Sequence, residues 1–125
     1  MMRFDELHQR TYDRAAYNCL HFTVEVQKEL FGHDLSFLLV GLKQEEDGMF
    51  RLGGMTKFKC FRRLPVPHNS CLALFRGVAP DDTHIGTYID GGVLHISTAG
   101  VQFLPVDVTA IGFTEVLFYA FSNVE

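Results

Sequence analysis

The sequence predicts an α+β fold. Three features carry the prediction: one amphipathic helical stretch near the N-terminus, a series of short β-rich segments after it, and an Asp-Gly turn between two of those segments. A helix that precedes the strands, instead of alternating with them, points to segregated layers and an antiparallel sheet. The 125 residues suit one domain spanning 1–125, long enough to bury a core without help.

The elements follow in order. Residues 1–17 are polar and mixed, with tyrosines at 12 and 17. Cys19, Phe22, Val26 and Leu30 then recur at steps of three and four, which places them on one face of a helix over about residues 19–31. Asn18 suits its N-cap and Gly32 its C′ position. Residues 35–42 form a short apolar run that periodicity leaves open between strand and short helix. The acidic stretch 44–48 reads as a turn, and 49–62 as one or two strands around Gly53-Gly54. Pro65 and Pro67 make 64–69 a loop, because proline cannot donate to a ladder. A short buried strand is expected over 71–75, a turn at Pro80-Asp81-Asp82, and a closing strand near 114–121.

The clearest element is a hairpin. Residues 83–89 and 93–97 are β-rich and are separated by Asp90-Gly91-Gly92. Asp-Gly is the signature of a two-residue type I′ turn, which needs positive φ at both central positions. With Asp90 and Gly91 as those positions, Ile89 faces Gly92, Tyr88 faces Val93 and Gly86 faces His95. His84 and His95 then share one face as diagonal neighbours about 7–8 Å apart at Cα, so one imidazole can hydrogen-bond the other. A three-residue loop would instead put His95 opposite Thr87 and on the other face.

Composition excludes several classes. Hydrophobic residues at 47% and charged residues at 21% describe a globular chain and not a disordered one. A net charge of −4 argues against a general nucleic-acid binder. The local basic group Lys57, Lys59, Arg62 and Arg63 reads as a solvated strand face. The N-terminus lacks the apolar stretch of a secretory signal, and no apolar run reaches the length of a bilayer span, so neither export by such a signal nor a membrane partner is expected. The three cysteines, Cys19, Cys60 and Cys71, are too widely spaced for a zinc module or a disulfide scaffold, and Cys60 and Cys71 read as buried strand residues. His8, His21, His33 and His68 show no ligand spacing, so no metal is expected. Gly53-Gly54 lacks the Lys-Ser/Thr ending of a phosphate loop, and no organic cofactor is expected.

Cys19 has two readings. At the first turn of a helix it meets unpaired N–H groups and a partial positive charge, both of which favour the thiolate, the nucleophilic form. Most free cysteines, however, are small buried hydrophobes. A nucleophilic cysteine needs a base, usually histidine, and a third group that orients the base. His84 and His95 are placed to be that pair.

The motif Tyr17-Asn18-Cys19 at a helix start, followed by His84-Ile85-Gly86-Thr87-Tyr88-Ile89-Asp90-Gly91-Gly92-Val93-Leu94-His95 on a hairpin, resembles the NlpC/P60 cysteine peptidases. The resemblance covers about residues 12–97 and, more loosely, the closing strand. It implies a papain-like core in which a central helix bearing the cysteine packs on an antiparallel sheet bearing the histidines. It also implies roles: Cys19 as nucleophile, His84 as base, His95 as orienting residue. The implied substrate is the peptide part of bacterial cell-wall peptidoglycan, cleaved through a thioester with no metal or cofactor. A compact chain of this kind is similar to hydrolases associated with phage tails, which would deliver it to the wall. The sequence departs from the family where small residues usually follow the cysteine. Leu20 and His21 stand there, with His21 expected to be exposed and not catalytic. The family's upstream tyrosine could be Tyr12 or Tyr17. Two other functions fit the same residues: a different acyl-transfer enzyme (amidase, deamidase or toxin), and a phage-tail structural or assembly protein with a vestigial site.

Overall fold

The computed structural model describes residues 4–13, 17–42, 61–78 and 83–121. The elements are α1 (Phe4–Leu7), α2 (Cys19–Phe31), α3 (Phe37–Leu42), β1 (Phe61–Leu64), β2 (Leu72–Arg76), β3 (Thr83–Ile89), β4 (Gly92–Ser97), β5 (Gly100–Pro105), α4 (Val106–Thr109) and β6 (Glu115–Phe121). The six strands form one antiparallel sheet in the order β1-β6-β2-β3-β4-β5. The chain is therefore α+β, with α2 laid across β3 and β4.

Local chemistry sets the ends of α2. Asn18 is extended, and its side-chain oxygen accepts from the backbone N–H groups of Leu20 and His21 at 3.0 and 3.3 Å. His21 reaches back so that its Nδ1 accepts from the Asn18 N–H at 3.2 Å, closing a capping box. At the other end Gly32 takes φ of 71°, and the N–H groups of Gly32 and His33 bond the carbonyls of Lys28 and Gln27. That left-handed position favours glycine, since a side chain there would meet the following carbonyl.

Strand alternation divides the core into two layers. Leu72 and Leu74 of β2, Ile85 of β3, and Leu94 and Ile96 of β4 pack with Cys19, Phe22 and Val26 of α2. Ala73, Phe75 and Val93 face the other way, against Val106, Ala110, Phe113, Val116 and Phe118. Burying a side chain the size of Phe22 contributes about 2–3 kcal/mol. Two buried polar residues of α2 reach the sheet. Thr23 Oγ1 donates to the Cys19 carbonyl at 2.8 Å and also lies 3.3 Å from that of Ile85. Gln27 Nε2 donates to the Ser70 carbonyl and to Thr87 Oγ1, while its oxygen accepts from His33 Nδ1 at 2.8 Å.

The hairpin forms with the expected register. Asp90 and Gly91 have φ of 46° and 88°, the type I′ geometry, and Ile89 pairs with Gly92 and Tyr88 with Val93. The Asn69 amide clips the turn, accepting from the Asp90 N–H at 2.7 Å and donating to the Asp90 carboxylate at 3.0 Å. The open segment 35–42 resolves as a short helix, α3, entered through a turn in which the Asp34 carboxylate accepts from Ser36 N–H and Oγ. The expected strand over 71–75 forms as β2, one residue later, and the closing strand as β6. The expected loop after Leu64 follows β1, while most of the expected 49–62 strand region, the acidic turn, Gly53-Gly54, Lys57, Lys59, Cys60 and the Pro80-Asp81-Asp82 turn lie outside the described residues. Arg62 and Arg63 are exposed on β1, as a solvated strand face requires. Among the described residues no helix is long and apolar enough to cross a membrane, and no group of His, Cys, Asp and Glu could hold a metal ion.

Candidate active site

The hairpin brings His84 and His95 together. His84 Nε2 lies 2.8 Å from His95 Nδ1, and the two rings meet nearly edge-on at 85° with centroids 4.8 Å apart. Gly86 makes this approach possible. A Cβ there would sit 2.5 Å from Val93 Cγ1, 3.0 Å from the Leu94 carbonyl and 3.1 Å from His95 Cβ, so any side chain would push the strand bearing His95 away.

One proton lies between the two nitrogens, and two tautomeric arrangements satisfy it. If His84 Nε2–H donates, His84 Nδ1 keeps a lone pair and can serve as a base, and His95 carries its other proton on Nε2. If His95 Nδ1–H donates, His84 Nδ1 bears a proton and cannot act as a base. His95 is 6% exposed, and its Nε2 is fully buried with no hydrogen-bond partner among the described residues. A buried donor without a partner costs about 1–3 kcal/mol.

Both rings are held away from charge. Burial pushes the His84 imidazole down to about 3, helped by the neighbouring His95. Burial also lowers His95. The His84 ring sits with Phe75 and Phe113, whose centroids lie 5.9 and 6.1 Å away and 5.6 Å from each other. At neutral pH both imidazoles are therefore neutral.

Cys19 stands at the first position of α2, against β3. Its thiol lies beside the backbone of Ile85, the residue after His84, and beside the backbone of Cys19 and Leu20. These contacts favour the thiolate, but burial outweighs them and pushes the thiol up to about 11. Of the two readings of Cys19, burial favours the small buried thiol over the helix-end thiolate: Cys19 is only 7% exposed, and the cost of desolvating a charge there exceeds the help of the helix end. No hydrogen bond joins the thiol to either imidazole among the described residues. Cys19 belongs to the layer beneath α2, whereas His84, beside Phe75 and Phe113, and His95, on the face of Val93, point to the opposite layer. The structure joins His84 to His95 and brings Cys19 to the backbone next to His84.

The helix start offers one open backbone donor near the thiol. The N–H groups of Leu20 and His21 are taken by the Asn18 side chain, so both are committed to the cap. That leaves the Cys19 N–H. His21 is half-buried within the capping box and not free at the surface. Tyr17 donates its hydroxyl to the Glu25 carboxylate, which also accepts from Arg10 Nε at 3.0 Å. Arg10 and Tyr17 together hold Glu25 ionised, and burial and the Glu25 carboxylate raise the Tyr17 phenol. This cluster ties Arg10 and Tyr17 to the second turn of α2. Cys71 is buried, as expected for a strand residue, although it falls one residue before β2.

Sequence reasoning did not single out Phe75, Phe113 or Thr23. Phe75 pairs with His84 across β2 and β3, a register set by tertiary structure. Phe113 arrives from a turn nearly thirty residues downstream of His84. A scan of protein-family models finds no match to this chain, and a search of curated proteins finds none either.

Proposed function

We propose that this chain is a cysteine hydrolase of the NlpC/P60 type with a papain-like core, cleaving peptide or amide bonds of cell-wall peptidoglycan. The observation that carries the reading is the His84–His95 hydrogen bond, formed one residue from the backbone against which the Cys19 thiol rests. The arrangement of α2 on an antiparallel sheet, with the cysteine at the helix start and the histidines on a hairpin, supports the papain-like assignment.

At rest the thiol and the imidazole are both neutral and face opposite layers of the sheet, so His84 acts as a general base, and not as half of a standing ion pair, only after a rearrangement that brings its Nδ1 to the thiol. The chemistry then follows. His84 Nδ1 takes the thiol proton as Cys19 Sγ attacks the amide carbon. The Cys19 N–H, the donor left open by the cap, stabilises the oxyanion. The C–N bond breaks as His84 returns the proton to the leaving amine. Water, activated by the same nitrogen, then adds to the thioester and releases the acid and the thiol. This role needs the arrangement in which His84 Nε2–H donates to His95 Nδ1, which leaves His84 Nδ1 bare and the buried His95 Nε2–H without a partner among the described residues. Entry of a substrate requires access to a thiol that is now 7% exposed.

The test is release of soluble peptides from purified peptidoglycan. The native chain releases peptides and Cys19→Ala does not. Equal release by both removes Cys19 from the mechanism. The burial of Cys19 favours a second reading, an assembly protein with an inert thiol; failure of both proteins to release peptides, together with a Cys19→Ala chain that still assembles into its particle, supports it.

A further inference from the structure

Phe113 lies in the turn between α4 and β6, and that turn is fastened in place. The Phe113 N–H bonds the Ala110 carbonyl at 2.9 Å, Gly112 takes φ of 92°, and Thr114 donates to the Arg76 carbonyl through both N–H (2.7 Å) and Oγ1 (2.9 Å). The Phe113 ring is 15° from parallel to the His84 ring. Its partner Phe75 is fully buried, while Phe113 is half-buried and stands on the solvent side of the group. So the three rings close a triangle, and Phe113 is its outer member.

Among the described residues, His95 is the one charged or titratable group that contributes to a neutral His84. The turn 110–114 holds no ionisable side chain. From β4 the only titratable group is His95, and from α2 it is the Cys19 thiol at the Ile85 backbone. On β2 the nearest charge is Arg76, which is exposed and paired with Glu115 at 3.5 Å. Asp107 of α4 is exposed. Desolvation is the larger cause, with His95 adding to it, and the aromatic rings are what packs against the His84 ring.

We propose that Phe113 is a positioning residue for His84: its ring caps the imidazole, excludes water from the His84–His95 hydrogen bond, and keeps the ring uncharged and fixed in plane. The inference rests on the reading of His84 as the base. Its effect is to keep the base unprotonated well into the acid range, where an ordinary imidazole would be charged and idle.

The test is a titration of the His84 ring by nuclear magnetic resonance in the full chain labelled at histidine, assigned with His84→Gln. In Phe113→Ala the midpoint rises by about one unit or more towards that of a free imidazole. In Phe113→Leu, which keeps an apolar cover, it stays near that of the native chain. If Phe113→Ala loses its tertiary structure, Phe113→Val serves, with a midpoint between the native and the free value. A folded Phe113→Ala or Phe113→Val with the native midpoint overturns the proposal. Peptide release is measured beside it. A raised midpoint in a chain whose native form releases no peptide keeps the cap and removes the hydrolase. An unchanged midpoint with normal release removes only the cap.

Discussion

Acidification should destabilise this chain through His84, by an amount the structure allows to be worked out. The folded imidazole sits at about 3 because burial disfavours its charge, whereas in the unfolded chain it returns to about 6.5. The unfolded state therefore binds the proton first as pH falls. Stability from this group is complete above about pH 6.5 and is lost progressively as pH falls towards 3. Between pH 7 and 4.5 the loss is about 2.5 kcal/mol, a ceiling because the ring is not wholly buried. Acid also affects Glu25 and Asp34, which are held below their ordinary values by Arg10 and by Ser36. His84→Gln shares those groups and lacks the imidazole, so the difference between the two chains isolates it. The assay is urea unfolding at the two pH values, followed by circular dichroism because the chain has no Trp. Native protein should lose about 1.5–2.5 kcal/mol more than His84→Gln over this interval. Equal losses would refute a desolvated, neutral His84.

Further outcomes follow from the same geometry. Cys19 should react slowly with iodoacetamide at pH 7 in the resting chain, its rate rising about tenfold per pH unit to above pH 9, as expected of a thiol near 11; fast labelling at pH 7, followed by mass spectrometry, would show a standing thiolate instead. Gly86→Ala should cost about 1–3 kcal/mol and weaken the His84–His95 bond, because the new methyl meets Val93 and His95; thermal unfolding and the histidine ring resonances check both. Asn18→Ala removes the cap of α2 and should cost about 1 kcal/mol, read by urea unfolding. Phe22→Ala should cost about 3–5 kcal/mol, since the ring is fully buried in the layer beneath α2.

The parts legible in the sequence are those fixed by local chemistry. Asn18 and Gly32 bracket α2 because a side-chain acceptor is needed at one end and a left-handed residue at the other. Asp90-Gly91 sets the turn, the turn sets the register, and the register places His84 beside His95. Where the deciding contact is distant, the sequence is silent. β5 carries no clear β pattern in the sequence: among the described residues it pairs with β4 alone, at the edge of the sheet, where Gly100, Gln102 and Pro105 are tolerated. The order of β6 between β1 and β2 depends on long-range pairing. The sequence leaves the state of Cys19 open between thiolate and buried thiol for a similar reason. The helix end is visible in the sequence, but the layer of Phe22, Ile85 and Leu94 that excludes water from the thiol is assembled from three separate segments. Phe113 reaches His84 by the same kind of long-range placement.

The central claim is that Cys19 forms a thioester with substrate. It is tested most directly by quenching the native chain in acid during digestion of purified peptidoglycan peptides and measuring intact and tryptic masses. The account predicts an adduct with the mass of the acyl portion of the peptide, confined to the segment containing Cys19, removed by hydroxylamine and absent from Cys19→Ala. Peptide release that continues with no adduct on Cys19, or an adduct located at Cys60 or Cys71, would contradict it.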